Sequence, residues 1–290
     1  MKQRFTSADL GIHAILLLTA AMMILPFYNV FIQSFATPAA VARQPLYLIP
    51  TVIDFSSYEL IFKGREVWDA LGVSLFVTLA GTAVNMITTV FGAYALTKKR
   101  MPGNRIFVGL VIFQMLFHGG IVPTYLAMKD YHLLNNVFAM ILPVMVNTYY
   151  LIIMMSYFRN VPEALEEAGR IDGANDIQIL MRIILPISLP TIAAISLFYA
   201  VDRWNEWWHA MIYIQDVTKQ PLQLYLRQML SDVSQMMSAD LAADFTVAAN
   251  VFTNGIKMAM VVVTVIPIML VYPWLQRYFT SGVMIGAVKE

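Results

Sequence analysis

The sequence predicts an all-α, polytopic integral membrane protein with six transmembrane helices and a helical segment lying on one membrane face. Three observations carry this reading. Of 290 residues, 59% are hydrophobic and 13% charged, against roughly 25% charged in soluble globular domains. Six long runs lack Asp, Glu, Lys and Arg: 10–42, 70–97, 106–128, 131–158, 183–201 and 258–276. These runs are continuously apolar rather than alternating, which selects helices over barrel strands.

A helix crosses the hydrocarbon core with about 20 residues, so each run supplies one span. The first follows Lys2 and Arg4 and outlasts the roughly 7–15 residues of a signal-peptide core, so it is expected to be retained. Adjusted for their polar flanks, the spans are expected near 12–34, 70–97, 106–128, 136–158, 183–204 and 257–277. They form one transmembrane domain, 1–290, with outer segments at 43–69 and 205–256. Pro26, Pro123, Pro143, Pro186, Pro190 and Pro267 fall within the spans, where proline frees a carbonyl and permits a kink. Such kinks serve ordinary helix packing or shape a translocation cavity. Gly72, Ala80, Gly81, Ala83 and Gly92 allow close helix approach.

Basic residues set the orientation. Lys98, Lys99, Arg100 and Arg105 crowd one short loop, whereas Lys129 alone occupies the next. By the positive-inside rule the first loop is cytoplasmic. Both termini and the 160–182 loop then face the cytoplasm with it. The net charge of +1 gives no support for a nucleic-acid partner. With no cysteine there is neither a disulfide framework nor a thiolate metal site. The twenty methionines read as gap-filling packing between helices.

The 160–182 loop is a charged, turn-containing insert between two spans. Pro162 suits a first helical position, and Glu163, Glu166 and Glu167 favour the positive end of the helix dipole. Asp172-Gly173 stops that helix. A second short helix is expected from Ala174 to Arg182, with Ile177, Leu180 and Met181 on one apolar side. By composition alone this is equally a solvated surface loop.

The pattern Glu167-Ala168-Gly169, Asp172-Gly173-Ala174, then Ile183-Ile184-Leu185-Pro186 resembles the signature loop of the permease subunits of bacterial ATP-driven (ABC) importers. Gly169 departs from the usual second Ala. Six spans with this loop between the fourth and fifth, and the tail from Gly282 to Glu290, are similar to the MalG-like permeases of carbohydrate importers. Gly119-Gly120-Ile121-Val122-Pro123-Thr124-Tyr125, Leu133-Leu134-Asn135-Asn136 and Trp204-Asn205-Glu206-Trp207 resemble their oligosaccharide branch, the lipoprotein-dependent or aldouronate type. The resemblance implies a type I ABC importer permease in the bacterial cytoplasmic (inner) membrane. It also implies a second, related permease as heterodimer partner, two ATPase subunits, and an external solute-binding protein that delivers the sugar.

By that resemblance the loop is a coupling helix seated on the ATPase. Its docking set is Glu167, Ala168, Gly169, Asp172, Gly173 and Ala174, with Glu167 pairing to a basic residue of the ATPase. In the tail, Gly282, Gly286 and Lys289 would contact the ATPase pair. No phosphate-binding loop occurs in this chain, so ATP and magnesium are expected on the partner. The chain itself is expected to hold no cofactor, metal or catalytic residue.

A substrate path is expected at the outer end of the fifth span and beside the sixth. Tyr199, Trp204 and Trp208 offer ring faces, and Asn205 and Glu206 offer hydrogen-bonding groups. Asn250 and Asn254 lie four apart on one helical face. An interfacial aromatic belt accounts for the aromatic residues equally well. An acidic oligosaccharide such as an alginate or pectin fragment is implied by the resemblance alone. The alternative class, an ion-coupled secondary transporter, should place ionisable residues within its spans; the six runs carry only His13, His118 and His132.

Overall fold

The structure, a computed structural model, describes residues 7–37, 49, 53–98, 100–117, 119–239 and 254–270. These residues are almost entirely helical, and the one extended pairing among them is an isolated bridge between Ala36 and Ile53. The chain divides into two compact units, Met1–Val67 with Leu226–Pro267, and Trp68–Tyr225 with Ile268–Glu290.

In the first unit, α1 (Ser7–Gln33) exposes apolar side chains all round, among them Leu10, Leu17, Met22 and Phe27. A helix apolar on every face is one built for lipid. It ends where Phe35 stacks on Tyr58 at 4.9 Å and the Ser34 hydroxyl meets that of Tyr58 at 2.7 Å. Tyr58 belongs to α2 (Ser56–Lys63), a short helix in the expected outer segment, where the Asp54 carboxylate accepts from the Ser56 backbone N–H.

The second unit is built on α3 (Glu66–Thr97), the second helix long and apolar enough to cross a membrane. The third, fourth and fifth apolar runs are interrupted. The third splits into α4 (Asn104–Leu116) and α5 (Ile121–Asp130), with Gly120 at φ +91°. In the fourth, two 3-10 turns (Val137–Met140 and Leu142–Val144) bend by 50° into α6 (Thr148–Arg159). Pro143 lacks the N–H a continuous helix needs, and Asn147 restarts the helix by accepting from the Tyr149 and Tyr150 N–H groups. The fifth bends by 86° between the Asp176–Ile187 stretch and α9 (Leu189–Trp204). Pro186 and Pro190 flank that bend at Ser188, and a π-helical turn (Leu180–Ile184) precedes it. The last apolar helix, Asn254–Leu270, belongs to the first unit as far as Pro267.

α3, α6 and α9 share one core. Val90, Ala93 and Tyr94 pack with Leu151, Met154, Met155, Phe158, Ile195 and Tyr199. The Tyr199 hydroxyl joins all three helices: it shares a hydrogen bond with Thr89 at 2.7 Å and accepts from the Asn147 N–H at 3.0 Å. One face of α3 is polar as well as buried. Thr78 Oγ1, Thr82 Oγ1 and both polar atoms of the Asn85 side chain are buried with no hydrogen-bond partner among the described residues. Each such orphan costs about 1–3 kcal/mol.

Candidate functional site

The 160–182 loop forms two short helices around a turn, but Pro162 caps the first helix instead of opening it, the second starts at Asp176 rather than Ala174, and Leu180 is buried while Ile177 and Met181 are exposed. α7 (Glu163–Ile171) follows Pro162 and ends in a Schellman motif: Gly173 donates to the Arg170 carbonyl and Ala174 to the Gly169 carbonyl. Gly173 adopts φ +79°, and a Cβ at this position would have no neighbouring atom within 4 Å. The constraint at this position is conformational, a left-handed backbone in open space. Asn175 and Gln178 then close a reciprocal capping box that starts α8 (Asp176–Ile179).

Gly169 is buried where α7 crosses the following segment. A methyl group there would sit 2.9 Å from Ile183 Cδ1 and 3.2 Å from Ile179 Cγ1. Two isoleucines already fill the space an alanine would use, which accounts for Gly169 in this chain. Glu167, Ala168, Asp172 and Gly173 are exposed and Ala174 is half-buried. Glu167 makes no ion pair among the described residues. Sequence reasoning missed Ile171, which is 86% exposed at the end of α7, and Leu165, Ile177 and Met181 are exposed with it. The signal was available, since large apolar residues flanking a charged turn outside the spans have no lipid to face.

A second feature absent from the sequence reading ties this segment to α3. Lys98, just beyond α3, pairs with Glu166 of α7 and lies 3.9 Å from the Tyr94 ring centroid. Arg170 pairs with Asp176 at 3.2 Å and reaches Glu166 at 3.8 Å. Beside this network opens a cavity of about 960 Å³ whose lining includes Lys98, Arg100, Arg159, Glu163 and Glu167. Pairing at a separation of 68 residues leaves no periodicity to read.

At the far end of α9 the expected path residues part company. Tyr199, Trp204 and Glu206 are buried, at 1%, 5% and 5% exposure, whereas Trp208 is exposed at 41% and Asn205 is open. The aromatic faces of Tyr199 and Trp204 are therefore covered in this structure. Asn205 accepts from the Gln223 side chain at 3.1 Å. Glu206 is the centre of a buried charge cluster: Arg203 approaches at 3.4 Å and the His209 ring at 3.0 Å, and the His209 N–H donates at 2.9 Å. Burial pushes the Glu206 carboxyl up, but the His209 hydrogen bonds and the His209 and Arg203 charges outweigh it and hold it below the ordinary carboxylate value. Arg203 also donates to the Met140 carbonyl at 2.7 Å, passing Gly81, where a methyl group would lie 2.9 Å from its Cδ.

Asn254 belongs to the first unit and is half-buried. Asn250, Gly282, Gly286 and Lys289 lie outside the described residues. Asn135 and Asn136 are structural. Asn135, at φ +58°, donates to the Tyr213 carbonyl and its side chain accepts from the Gln215 and Asp216 N–H groups, while Asn136 caps the first 3-10 turn.

Residues 105–285 match the family described as "Binding-protein-dependent transport system inner membrane component". The chain is 42% identical to the polygalacturonan/rhamnogalacturonan transport system permease protein YtcP of Bacillus subtilis (strain 168), covering 97% of this chain and 98% of that one. It is 41% identical to Protein LplC of the same organism, over 93% and 90% of the two chains. A solved chain from a bacterial ABC transporter involved in the import of the acidic polysaccharide alginate superposes with a TM-score of 0.84. That chain shares 33% identity, and the match covers 96% of this chain and all of the other. The chain belongs to the family of binding-protein-dependent transport system inner membrane components: it has the type I ABC permease fold and is a translocation subunit, not an enzyme, with ATP hydrolysis on separate subunits.

Proposed function

We propose that this permease moves an acidic oligosaccharide, of the pectin- or alginate-fragment type, into the cytoplasm by alternating access. It does so as one half of a heterodimer with a related permease. An external solute-binding protein delivers the sugar, and two ATPase subunits holding ATP and magnesium drive the cycle. The six apolar segments span the inner membrane with both termini and the 160–182 loop cytoplasmic. The observation that carries the coupling role is the build of that loop: two capped helices locked at a glycine crossing and bolted to α3 through Lys98–Glu166, with Glu167, Ala168 and Ile171 left exposed. A rigid lever with an uncommitted carboxylate and an exposed apolar tip suits docking into a groove of a partner.

The substrate class is supported by the two similar proteins named for uronic-acid polymers. Within this chain the path runs along Tyr199, Trp204, Asn205, Glu206 and Trp208 at the outer end of α9. Asn205 and Trp208 make the sugar contacts open in this state, and Glu206 holds the wall. The tail residues Gly282, Gly286 and Lys289 contact the ATPase pair. The test is uptake by proteoliposomes containing the two permeases and two ATPases. With binding protein and internal ATP, labelled oligogalacturonides or oligoalginates should accumulate, and neutral oligosaccharides of equal length should not. Accumulation driven by an ion gradient without ATP would overturn the reading in favour of a secondary transporter.

A further inference from the structure

We infer that the polar face of α3 is a wall of the sugar path, closed off by α9 in this state and opened to water and substrate in another. This rests on the alternating-access reading above. Ser74, Thr78, Thr82, Asn85 and Thr89 recur every three or four residues, so at 3.6 residues per turn they fall within an arc of about 80°. The ends of the stripe are tied: Ser74 accepts from the Leu222 N–H at 2.8 Å and Thr89 bonds to Tyr199. Its middle is not. Asn85 is fully buried, yet neither its amide nor its carbonyl has a partner among the described residues, and the same holds for the Thr78 and Thr82 hydroxyls.

Polar side chains between membrane helices normally act as glue by bonding across the interface. The Asn85 side chain bonds to nothing among the described residues, so glue does not explain it. Lipid cannot satisfy it, because hydrocarbon offers no donors or acceptors. α9 meets this face of α3 at two levels, Tyr199 at Thr89 and Arg203 against Gly81, where Ile141 of the bent fourth run also packs. Arg203 Nε is likewise buried and without a partner among the described residues. The same helix bends by 86° beside a π-helical turn, a feature frequent at functional sites. A swing of α9 about that bend would uncover hydroxyl and amide groups spaced one helical turn apart, suited to a polyhydroxylated chain. Lipid-facing positions on α3 show the contrast: Leu79 is 71% exposed and apolar.

The chain contains no cysteine, so single-cysteine variants report on one position each. Thr78→Cys, Asn85→Cys and the control Leu79→Cys would be assembled with the partner permease, ATPases and binding protein, and treated with a membrane-impermeant thiol reagent. The experiment compares the resting complex with one trapped by ATP and vanadate, with labelling read on this subunit. Labelling at Thr78→Cys and Asn85→Cys should rise at least about tenfold on trapping and fall when an oligogalacturonide is present, while Leu79→Cys stays unlabelled. Asn85→Leu should cut uptake by about tenfold or more, the scale of one lost hydrogen-bonding group, and Asn85→Ser should retain more uptake than Asn85→Leu. Labelling equally low in both states, or wild-type uptake by Asn85→Leu, would overturn the inference. The unmodified complex run in parallel separates the two claims. Absent ATP-driven uptake there refutes the importer reading itself, whereas uptake with an unreactive stripe refutes only the stripe.

Discussion

The loop at 160–182 and the aromatic cluster at the end of α9 look equally promising in the sequence, yet they are built on opposite principles. The loop is made of local interactions: a Schellman turn at Gly173, a capping box at Asn175, and a glycine crossing at Gly169. Its backbone satisfies itself, which leaves Glu167, Ala168, Ile171 and Asp172 exposed. The cluster is made of distant ones: Tyr199 holds Thr89 and Asn147, and Arg203 holds Met140. Its conspicuous side chains are committed to the fold. Residue type therefore foretells exposure where structure is local and fails to foretell it where partners are distant in sequence.

The largest effect expected from this contrast is at Trp204. With 5% exposure, Trp204→Ala should destabilise the protein by about 3–5 kcal/mol and lower its membrane yield. Asn205→Ala, on an open neighbour, should leave yield and melting temperature unchanged and reduce uptake. Equal yields of the two variants with selective transport loss in Trp204→Ala would reverse the assignment.

Next comes the charge cluster. The Glu206 carboxyl is held below its ordinary value in the fold, so its stabilisation is present above the ordinary carboxylate range and is lost as pH falls through the folded value. Melting temperature measured from pH 7 downward should therefore fall more steeply for the wild type than for Glu206→Gln, which starts lower. Parallel curves would show that the carboxylate carries no such stabilisation.

A smaller loss is expected at Gly173, where a left-handed backbone costs an alanine about 1–2 kcal/mol. Because the surrounding space is open, Gly173→Asn should recover most of the coupled ATPase activity that Gly173→Ala loses. A bulky residue tolerated as well as Asn would show that φ does not govern the site. The smallest effect concerns the strut. Lys98–Glu166 is partly solvated, so its pairing is worth about 0.5–1 kcal/mol. Lys98→Glu should lower uptake per ATP hydrolysed a few-fold, and adding Glu166→Lys should restore it. No recovery in the double variant would leave Lys98 a surface charge.

The apolar segments and the helix–turn–helix at 160–182 were legible because hydrophobic length and turn chemistry are local properties. The breaks at Pro143 and Ser188 were legible as proline positions but not as angles, since neighbouring helices decide how far a freed carbonyl opens the chain. The Lys98–Glu166 strut and the orphaned Asn85 were not legible. Their meaning depends on which helix packs on α3, and no periodicity encodes that. Ile171 was legible in principle, as a large apolar residue closing a polar helix, but only its exposure separates a docking tip from a side chain folded under the loop.

The central claim, that the 160–182 loop transmits work between this permease and its ATPase, is tested most directly by Glu167→Lys in the assembled complex. Substrate-loaded binding protein should stimulate ATP hydrolysis in the wild type. In Glu167→Lys the protein should still reach the membrane, while association with the ATPase weakens and stimulation is lost. Wild-type stimulation by the Glu167→Lys complex would contradict the account.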